Sequence, residues 1–164
     1  MFRAHGVATV SIADIMSEVG LTVGGFYRHF ESKEVLVSEA IGEASLQATA
    51  AMERVAARAD GKSCFRELVA FYLAQPHRQH PERGCPLPSL ALDSARGSPA
   101  NKQEFRKAVL AVVAQVQKAR RDHDRTASLH AVAALVGAMV LSRAIDGDAL
   151  ADEIVDAVKN SLSS

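Results

Sequence analysis

Apolar residues recur at helical spacing along nearly the whole chain, and this periodicity constrains the fold more than any other feature. From Phe65 to Leu73 they fall at intervals of three, four, seven and eight residues, which places them on one face of a helix. A similar stripe runs from Phe105 to Val116. No alternation of apolar and polar β-branched residues flanked by hairpin turns interrupts the pattern, as strands would require. The sequence therefore predicts an all-α protein.

Capping residues and helix breakers divide the chain. The pair Ser11 and Asp14 has the spacing of a capping box, and Ser98 followed by Pro99 is a typical helix start. Residues 76–88 carry four of the five prolines, so we predict a loop there. The predicted helices cover about residues 1–5, 12–19, 23–29, 33–59, 63–74, 90–95, 99–123, 126–145 and 149–162.

Composition and charge exclude several function classes. Nineteen Lys and Arg residues balance nineteen Asp and Glu residues, so no global basic field attracts nucleic acid and any such binding must be local. The two cysteines, Cys64 and Cys85, are too few for a disulfide scaffold and fit a reducing compartment. The longest apolar stretch has 11 residues (131–141), whereas spanning a bilayer takes about 20. We expect a cytoplasmic protein with no membrane partner and no secretion signal.

The segment from Ser11 to Glu34, SIADIMSEVGLTVGGFYRHFESKE, has the pattern of a helix-turn-helix. Two short predicted helices are joined by Gly20-Leu21-Thr22, a glycine turn of the length that this motif uses. The second helix of such a motif enters the major groove of DNA, with its N-terminal residues on base edges. The adjacent Gly24 and Gly25 are poor helix formers, and close approach to DNA would explain why bulk is unwelcome there.

This segment resembles the DNA-binding domain of the TetR/AcrR family of one-component transcriptional regulators. The resemblance covers about residues 1–40, and its most specific part is Gly25-Phe26-Tyr27-Arg28-His29-Phe30 followed by Ser32-Lys33-Glu34. A weaker resemblance to one C-terminal subgroup of the family lies in Gly84-Cys85-Pro86-Leu87. It implies a helix-turn-helix head, residues 1–40, and a helical body, residues 41–164, that binds an effector and dimerises.

The resemblance also implies a function, that of a dimeric repressor that leaves a palindromic operator when a small apolar or aromatic molecule binds. Neither a cofactor nor an enzymatic activity is implied. Carried over residue by residue, the DNA contacts fall on Ser11, Val23, Gly24, Gly25, Tyr27, Arg28, His29 and Lys33.

Two departures from the family pattern support an alternative function. The family's first helix extends some fifteen residues before the position of Met1, and only its tail is present here. Residues 1–35 hold three basic against four acidic residues, a net charge of −1. The alternative is a helical dimer that binds a small molecule or a partner protein but has lost DNA binding.

Two sets of body residues follow from the resemblance and from apolar patterning. A mostly apolar effector pocket favours an aromatic or lipophilic ligand. Its candidate residues are Phe65, Leu68, Phe71, Tyr72, Leu90, Phe105, Val109, Val112, Gln115, Val116, His130 and Met139. The last two helices carry a stripe of small residues and an apolar face, which a twofold dimer would bury in a four-helix bundle. These candidate interface residues are Ala134, Gly137, Ala138, Leu141, Leu150, Ile154, Val155, Val158 and Leu162.

The region around Cys85 leaves three weaker alternatives open. His77, His80 and Cys85 could ligate zinc, but a fourth ligand is not evident and the spacing matches no closed structural site, so we predict no metal. Cys64 and Cys85 could form a redox switch, although neither has an obvious activating neighbourhood. An enzyme could use Cys85 as a nucleophile beside His77 or His80, but nothing in the sequence positions such a base.

Overall fold

The computed structural model describes residues 1–61, 63–122 and 124–163. In this part of the chain the regular structure is helical throughout and no residue is in a strand, which confirms the all-α prediction. The elements are α1 (Phe2–His5), α2 (Ile12–Glu18), α3 (Val23–Phe26), α4 (Lys33–Arg58), α5 (Cys64–Tyr72), α6 (Gln75–Gln79), a 3₁₀ turn (Pro81–Arg83), α7 (Pro86–Arg96), α8 (Pro99–Arg120), α9 (Arg125–Ala144) and α10 (Ala149–Ser163).

Side-chain caps start three long helices, at the predicted serines for α4 and α8 and at an aspartate that was not predicted for α9. The hydroxyl groups of Ser32 and Ser98 accept hydrogen bonds from the backbone of the first turns of α4 and α8, and the Asp124 carboxylate does the same for α9. At its other end α8 stops at Arg120, because Arg121 is left-handed with φ 62°. The predicted end of this helix, at about His123, lies outside the described residues.

Two predictions about local structure are wrong. Residues 76–88 are not a loop, because they contain α6, the 3₁₀ turn and the start of α7. Prolines Pro76, Pro81 and Pro86 sit in the first turns of these three elements, where the missing N–H would have had no helical partner. For the same reason α7 begins at Pro86 and not near Leu90.

Helix α3 is also shorter than predicted. It ends at Phe26, and residues 27–29 continue it only as a hydrogen-bonded turn. The N–H of His29 and the N–H of Phe30 both donate to the Phe26 carbonyl, at 2.9 and 3.0 Å. The side chain at Thr22 makes no capping bond, which leaves two glycines in a four-residue helix without that support.

The core is continuous from the head into the body. Helix α4 packs mainly on α8 and also on α5 and α7, while α9 packs on α8 and α10. Phe2, Val10 and Val37 of the head belong to the same buried cluster as the body residues. Because α4 runs through both parts, it positions the helix-turn-helix relative to the body.

Helix α9 is long and apolar enough to cross a membrane by length and composition alone. It packs against α7, α8 and α10 in this fold, with Ala131, Leu135 and Met139 fully buried. Apolar residues of α9 therefore form part of the core.

Candidate nucleic-acid interface and effector cavity

The turn between α2 and α3 has the backbone that a helix-turn-helix needs. Gly20 is left-handed with φ 69°, a conformation that glycine adopts without steric cost. The next N–H, of Leu21, donates to the Met16 carbonyl at 2.8 Å and closes α2. At the start of α2 the predicted capping box is present, since Ser11 and Asp14 exchange side-chain to backbone hydrogen bonds.

One buried aromatic side chain holds the second helix in place. Phe26 is only 1% exposed and contacts the rings of Tyr27 and Phe30, with centroids 5.2 and 5.3 Å away. With Phe26 turned inward, Val23 and Tyr27 point outward and are 44% and 60% exposed. The buried Phe26 therefore sets the orientation of the surface that residues 23–29 present.

The predicted DNA contacts occupy three kinds of environment. Most of them are exposed on the outer side of α3 and its turn: Val23, Gly24, Tyr27, Arg28 and His29. A Cβ at Gly24 would meet nothing within 4 Å, whereas a Cβ at Gly25 would contact the Met16 side chain at 3.6 Å. A side chain added at Gly24 would thus face solvent, whereas one added at Gly25 would face α2.

Ser11 and Lys33 are already engaged within the head. The hydroxyl of Ser11 lies 2.6 Å from an Asp14 carboxylate oxygen, and this bond keeps the pKa of Asp14 below its usual value. The ammonium group of Lys33 donates to the Val7 carbonyl at 2.6 Å and stands 6.0 Å from the centre of the Phe2 ring. Lys33 therefore ties the start of α4 to the segment between α1 and α2.

A cavity of about 240 Å³ opens between α4, the end of α5 and the segment from 75 to 85, which we call the strap. Of the predicted pocket residues only Phe71 and Tyr72 line it. The remaining wall residues are Gln47, Ala48, Ala51, Met52, Pro76, His77, His80, Arg83, Gly84 and Cys85. The other predicted pocket residues lie elsewhere: Leu68, Leu90, Val112, Val116 and Met139 are buried in the core, Phe65, Phe105, Val109 and Gln115 are half-buried, and His130 is exposed.

His77 braces the strap against the end of α5. Its Nδ1 donates to the Tyr72 carbonyl at 2.6 Å, and its Nε2 accepts from the Cys85 N–H at 3.0 Å. The ring also packs edge-on against Tyr72, with centroids 4.7 Å apart. Burial, opposed by the bond to the Tyr72 carbonyl, lowers the pKa of His77 to about 4, so the imidazole is neutral at physiological pH.

This geometry bears on the open alternatives for Cys85. Burial raises the pKa of its thiol, so the nucleophilic thiolate is disfavoured. Both nitrogens of the neighbouring His77 are engaged with backbone groups. In the described residues no group of three or more His, Cys, Asp or Glu side chains is arranged to hold a metal ion.

Comparison with known proteins agrees with the geometry of the head. Residues 1–40 match the family model described as bacterial regulatory proteins, tetR family. Curated protein sequences give no significant match. The head, residues 1–40, is therefore similar to the DNA-binding head of the tetR family of bacterial regulatory proteins.

Solved structures extend the likeness from the head to the whole fold. A TetR transcriptional regulator from Legionella pneumophila superposes with a TM-score of 0.81 at 15% identity, over 99% of this chain and 89% of that one. The reduced form of Escherichia coli NemR gives 0.75 at 16% identity, over 97% and 89%. PfmR from Thermus thermophilus, a TetR-family transcriptional regulator, gives 0.63 at 20% identity, over 98% and 91%. The fold of this chain is therefore that of these solved regulators.

The residues predicted for the dimer interface divide into buried and exposed groups. Ala138 and Val155 are buried inside the chain, whereas Leu141 and Leu150 are 54% and 50% exposed. A Cβ at Gly137 would meet nothing within 4 Å. The other predicted residues are half-buried: Ala134, Ile154, Val158 and Leu162. Exposed apolar residues that the prediction omits, Leu129 and Val140, extend the outer face of α9.

Arginines on both sides of the strap were missed by sequence reasoning. Arg3 of α1 donates to the Gly84 carbonyl. Arg143 of α9 donates to the carbonyls of His77 and Arg78, at 2.6 and 3.1 Å. These bonds join a side chain to distant backbone, so no spacing in the sequence could have indicated them.

Proposed function

We propose that this protein is a TetR-family regulator, a dimeric repressor that binds operator DNA through α3 and is released from it by a small, mostly apolar ligand. The observation that carries the proposal is the exposed segment from 23 to 29, anchored by the buried Phe26. An exposed surface oriented by a buried anchor suits insertion into a major groove.

The DNA contacts proposed are those of the outer surface of α3 and its turn. Val23 and Gly24 suit contact with base edges, because they lie at the N-terminal end of the helix and no bulky side chain blocks approach. Tyr27, Arg28 and His29 carry donors for phosphate oxygens. Ser11, Gly25 and Lys33 remain candidate contacts, and on binding the Ser11 hydroxyl and the Lys33 ammonium would have to share or exchange their present bonds to Asp14 and the Val7 carbonyl.

Dimerisation is proposed through the outer face of α9 together with α10. Leu129, Val140 and Leu141 are exposed on α9, and Leu150 is exposed on α10. A twofold dimer buries the same patch on both copies. It also sets the distance between two α3 segments, which must be about 34–36 Å to reach successive major grooves.

Release by a ligand is proposed to begin at the cavity beside the strap. The strap contacts the head through Arg3 and the Gly84 carbonyl, and the cavity wall includes α4, which continues into the head. A ligand that binds better to the form with displaced heads shifts the population toward that form by its difference in affinity.

The alternative function, a helical dimer that no longer binds DNA, is favoured by the net charge of −1 on residues 1–35. The two candidates make opposite predictions for sequence-selective binding. Selection of bound duplexes from a randomised pool, with the full chain as bait, therefore decides between them. Enrichment of a palindrome supports the repressor, and an unchanged pool supports the alternative.

Replacement of Tyr27 tests the proposed surface directly. Tyr27→Ala is expected to lower the affinity for the selected duplex by about tenfold, the effect of losing one good contact. Leu92→Ala is the matched control, because Leu92 is 69% exposed on α7, outside the head. The measurement is fluorescence anisotropy, with sedimentation to verify that both variants keep the wild-type assembly. Equal affinities for both variants would overturn the assignment.

A further inference from the structure

One peptide group of the strap lies between the cavity and the head. The carbonyl of Gly84 accepts a hydrogen bond from the Arg3 guanidinium group, and the N–H of Cys85 donates to His77 Nε2 at 3.0 Å. This carbonyl and this N–H belong to the same peptide group, 84–85, and both of its residues line the cavity. Because a peptide group is planar, it cannot turn away from His77 without also moving the acceptor of Arg3.

The His77 side of this connection is fixed by the body. Nδ1 of His77 donates to the Tyr72 carbonyl at the end of α5, at 2.6 Å. The backbone carbonyl of His77 accepts a hydrogen bond from Arg143 of α9, also at 2.6 Å. The position of the His77 ring, and with it that of the 84–85 peptide group, therefore depends on α5 and α9.

The strap passes so close to the His77 ring that position 84 has no room for a side chain. A Cβ at Gly84 would lie 2.3 Å from Cδ2 and 2.5 Å from Nε2 of His77. The backbone of Gly84 is extended (φ −89°, ψ −173°), a conformation open to any residue, so the ring and not the backbone excludes a side chain. Anything that pushes the ring and residue 84 apart therefore acts on the 84–85 peptide group.

The head is linked to the strap and to α7 at neighbouring points. Besides the bond from Arg3, the N–H of Val7 donates to the Asp93 carboxylate of α7 at 3.1 Å, and α7 begins at Pro86, directly after the 84–85 peptide group. The bond from Lys33 to the Val7 carbonyl then joins this segment to the start of α4. A shift of the strap can thus reach the head through residues 3–7, a route separate from the packing of α4 on α8.

We propose that the 84–85 peptide group couples the cavity to the head, and that Arg3 is the positioning residue through which this coupling acts. The inference rests on the proposed function in taking this cavity as the effector site. An occupant that separates the His77 ring from residue 84 turns the peptide group and removes the acceptor of Arg3. Residues 3–7 then loosen on the body, while α4 keeps its packing on α8.

Amide hydrogen exchange of the full chain, followed by NMR without DNA or ligand, tests this coupling. Gly84→Ala takes the place of an occupant, because its Cβ must push the His77 ring away. Exchange at the amides of Cys85 and Val7 is expected to become about tenfold faster, the effect of weakening one hydrogen bond. Exchange at Val37, inside α4, should stay within about twofold of the wild type.

Combination with Arg3→Met decides whether the effect passes through Arg3. This substitution alone should speed exchange at Val7 by about tenfold. In the double variant the Cys85 amide should still respond to Gly84→Ala, whereas Val7 should exchange no faster than in Arg3→Met. Exchange at Val7 about a hundredfold faster than in the wild type, the product of the two single effects, would show that the positions act separately and would overturn the inference.

Arg106→Met is the matched control, because Arg106 is an exposed arginine of α8. It should leave exchange at Val7 and Cys85 at the wild-type rates. If it speeds exchange at Val7 as Arg3→Met does, the effect is one of net charge and the assignment of Arg3 is wrong.

The other outcomes for Gly84→Ala also decide the question. Faster exchange at Val37 together with Val7 would mean general loosening or movement through α4, and an unchanged rate at Val7 or at Cys85 would mean that the peptide group transmits nothing. Each of these results overturns the inference. Should Gly84→Ala fail to fold, His77→Ala removes the acceptor of the Cys85 N–H without adding bulk and takes its place in the same comparison.

The exchange measurements contain no DNA, so they fail independently of the repressor. Coupling between Cys85 and Val7 in a chain that selects no duplex would contradict the proposed function alone. Selective DNA binding by a chain without this coupling would contradict the present inference alone.

Discussion

At the scale of single residues, three side chains brace the strap: Arg3, His77 and Arg143. His77 is the most deeply buried of them. Its imidazole is held neutral by burial and by the neighbouring Arg143 and Arg3, while the bond to the Tyr72 carbonyl opposes them. Protonation of Nε2 would break its bond from the Cys85 N–H. His77 therefore binds a proton less readily in the folded protein than in the unfolded chain.

The stability of the protein should fall in mild acid because of this histidine. Its pKa is about 6.5 in the unfolded chain and about 4 in the folded protein, so stability is lost as the pH falls from the first value toward the second. The expected loss is about 2–3 kcal/mol by pH 4. Urea denaturation at pH 7.5, 6.0, 5.0 and 4.5 measures it.

Two variants separate His77 from other groups that titrate in acid. His77→Gln should be less stable at pH 7.5 and should lose less stability across the same range than the wild type. His80→Gln is the matched control, because the His80 side chain is 51% exposed, and it should keep the wild-type slope. An identical slope in all three proteins would show that His77 is not the cause.

Residue-scale prediction from sequence works where the interaction is local. The capping box of Ser11 and Asp14 and the caps at Ser32 and Ser98 join residues three apart, so their spacing is visible in the sequence. The bonds of His77 depend on how α6 folds back beside α5. Tyr72 was a predicted pocket residue for its apolar ring, whereas the burial of its hydroxyl beside Cys85 is a property of the packed protein.

At the scale of elements, the prediction of secondary structure was wrong where prolines cluster in the sequence. Four prolines between 76 and 88 indicated a loop, yet three of them open helical elements. Proline has the backbone angle of a first helical turn and lacks only an N–H that would be free there. Clustered prolines are thus compatible with several helical elements in succession, of which α6 and the 3₁₀ turn are too short to show an apolar stripe.

The outer face of α9 makes a prediction at the same scale. Leu141→Glu places a charge in the proposed interface, and a charge buried without a partner is strongly unfavourable. The dimer dissociation constant should rise by about a hundredfold or more. Sedimentation velocity over a range of concentrations measures it.

The control for this variant is Leu92→Glu. Leu92 is even more exposed than Leu141, but it lies on α7, so its replacement should leave the dimer unchanged. If Leu141→Glu sediments like the wild type, the interface lies on another face. If both variants dissociate, the effect comes from charge and not from position.

At the scale of the whole molecule, the strap connects three parts of the fold. It contacts α1 through Arg3 and the Gly84 carbonyl, and α9 through Arg143. Arg78 adds ion pairs with Asp146 and Asp152, at 3.6 and 2.7 Å, which reach the start of α10. An occupant of the cavity would therefore act on a segment joined both to the head and to the helices proposed for the dimer.

The fold class and the position of the helix-turn-helix could be predicted from sequence because both depend on short-range periodicity and a specific motif. The cavity could not, because its walls come from α4, α5 and the strap, which are distant in the chain. Five of the twelve predicted pocket residues are instead buried in the core away from the cavity, such as Leu68 and Val116. An apolar helix stripe looks the same whether it faces a core or a ligand.

The most direct test of the account is a salt titration of binding to genomic DNA from around the protein's own gene. Anisotropy is measured for that duplex and for a scrambled duplex of the same composition, at 50 to 200 mM salt. If the protein is a repressor, it should prefer one genomic site by about a thousandfold or more. Its affinity for that site should fall steeply as salt rises. Equal affinity of a folded dimer for both duplexes would contradict it.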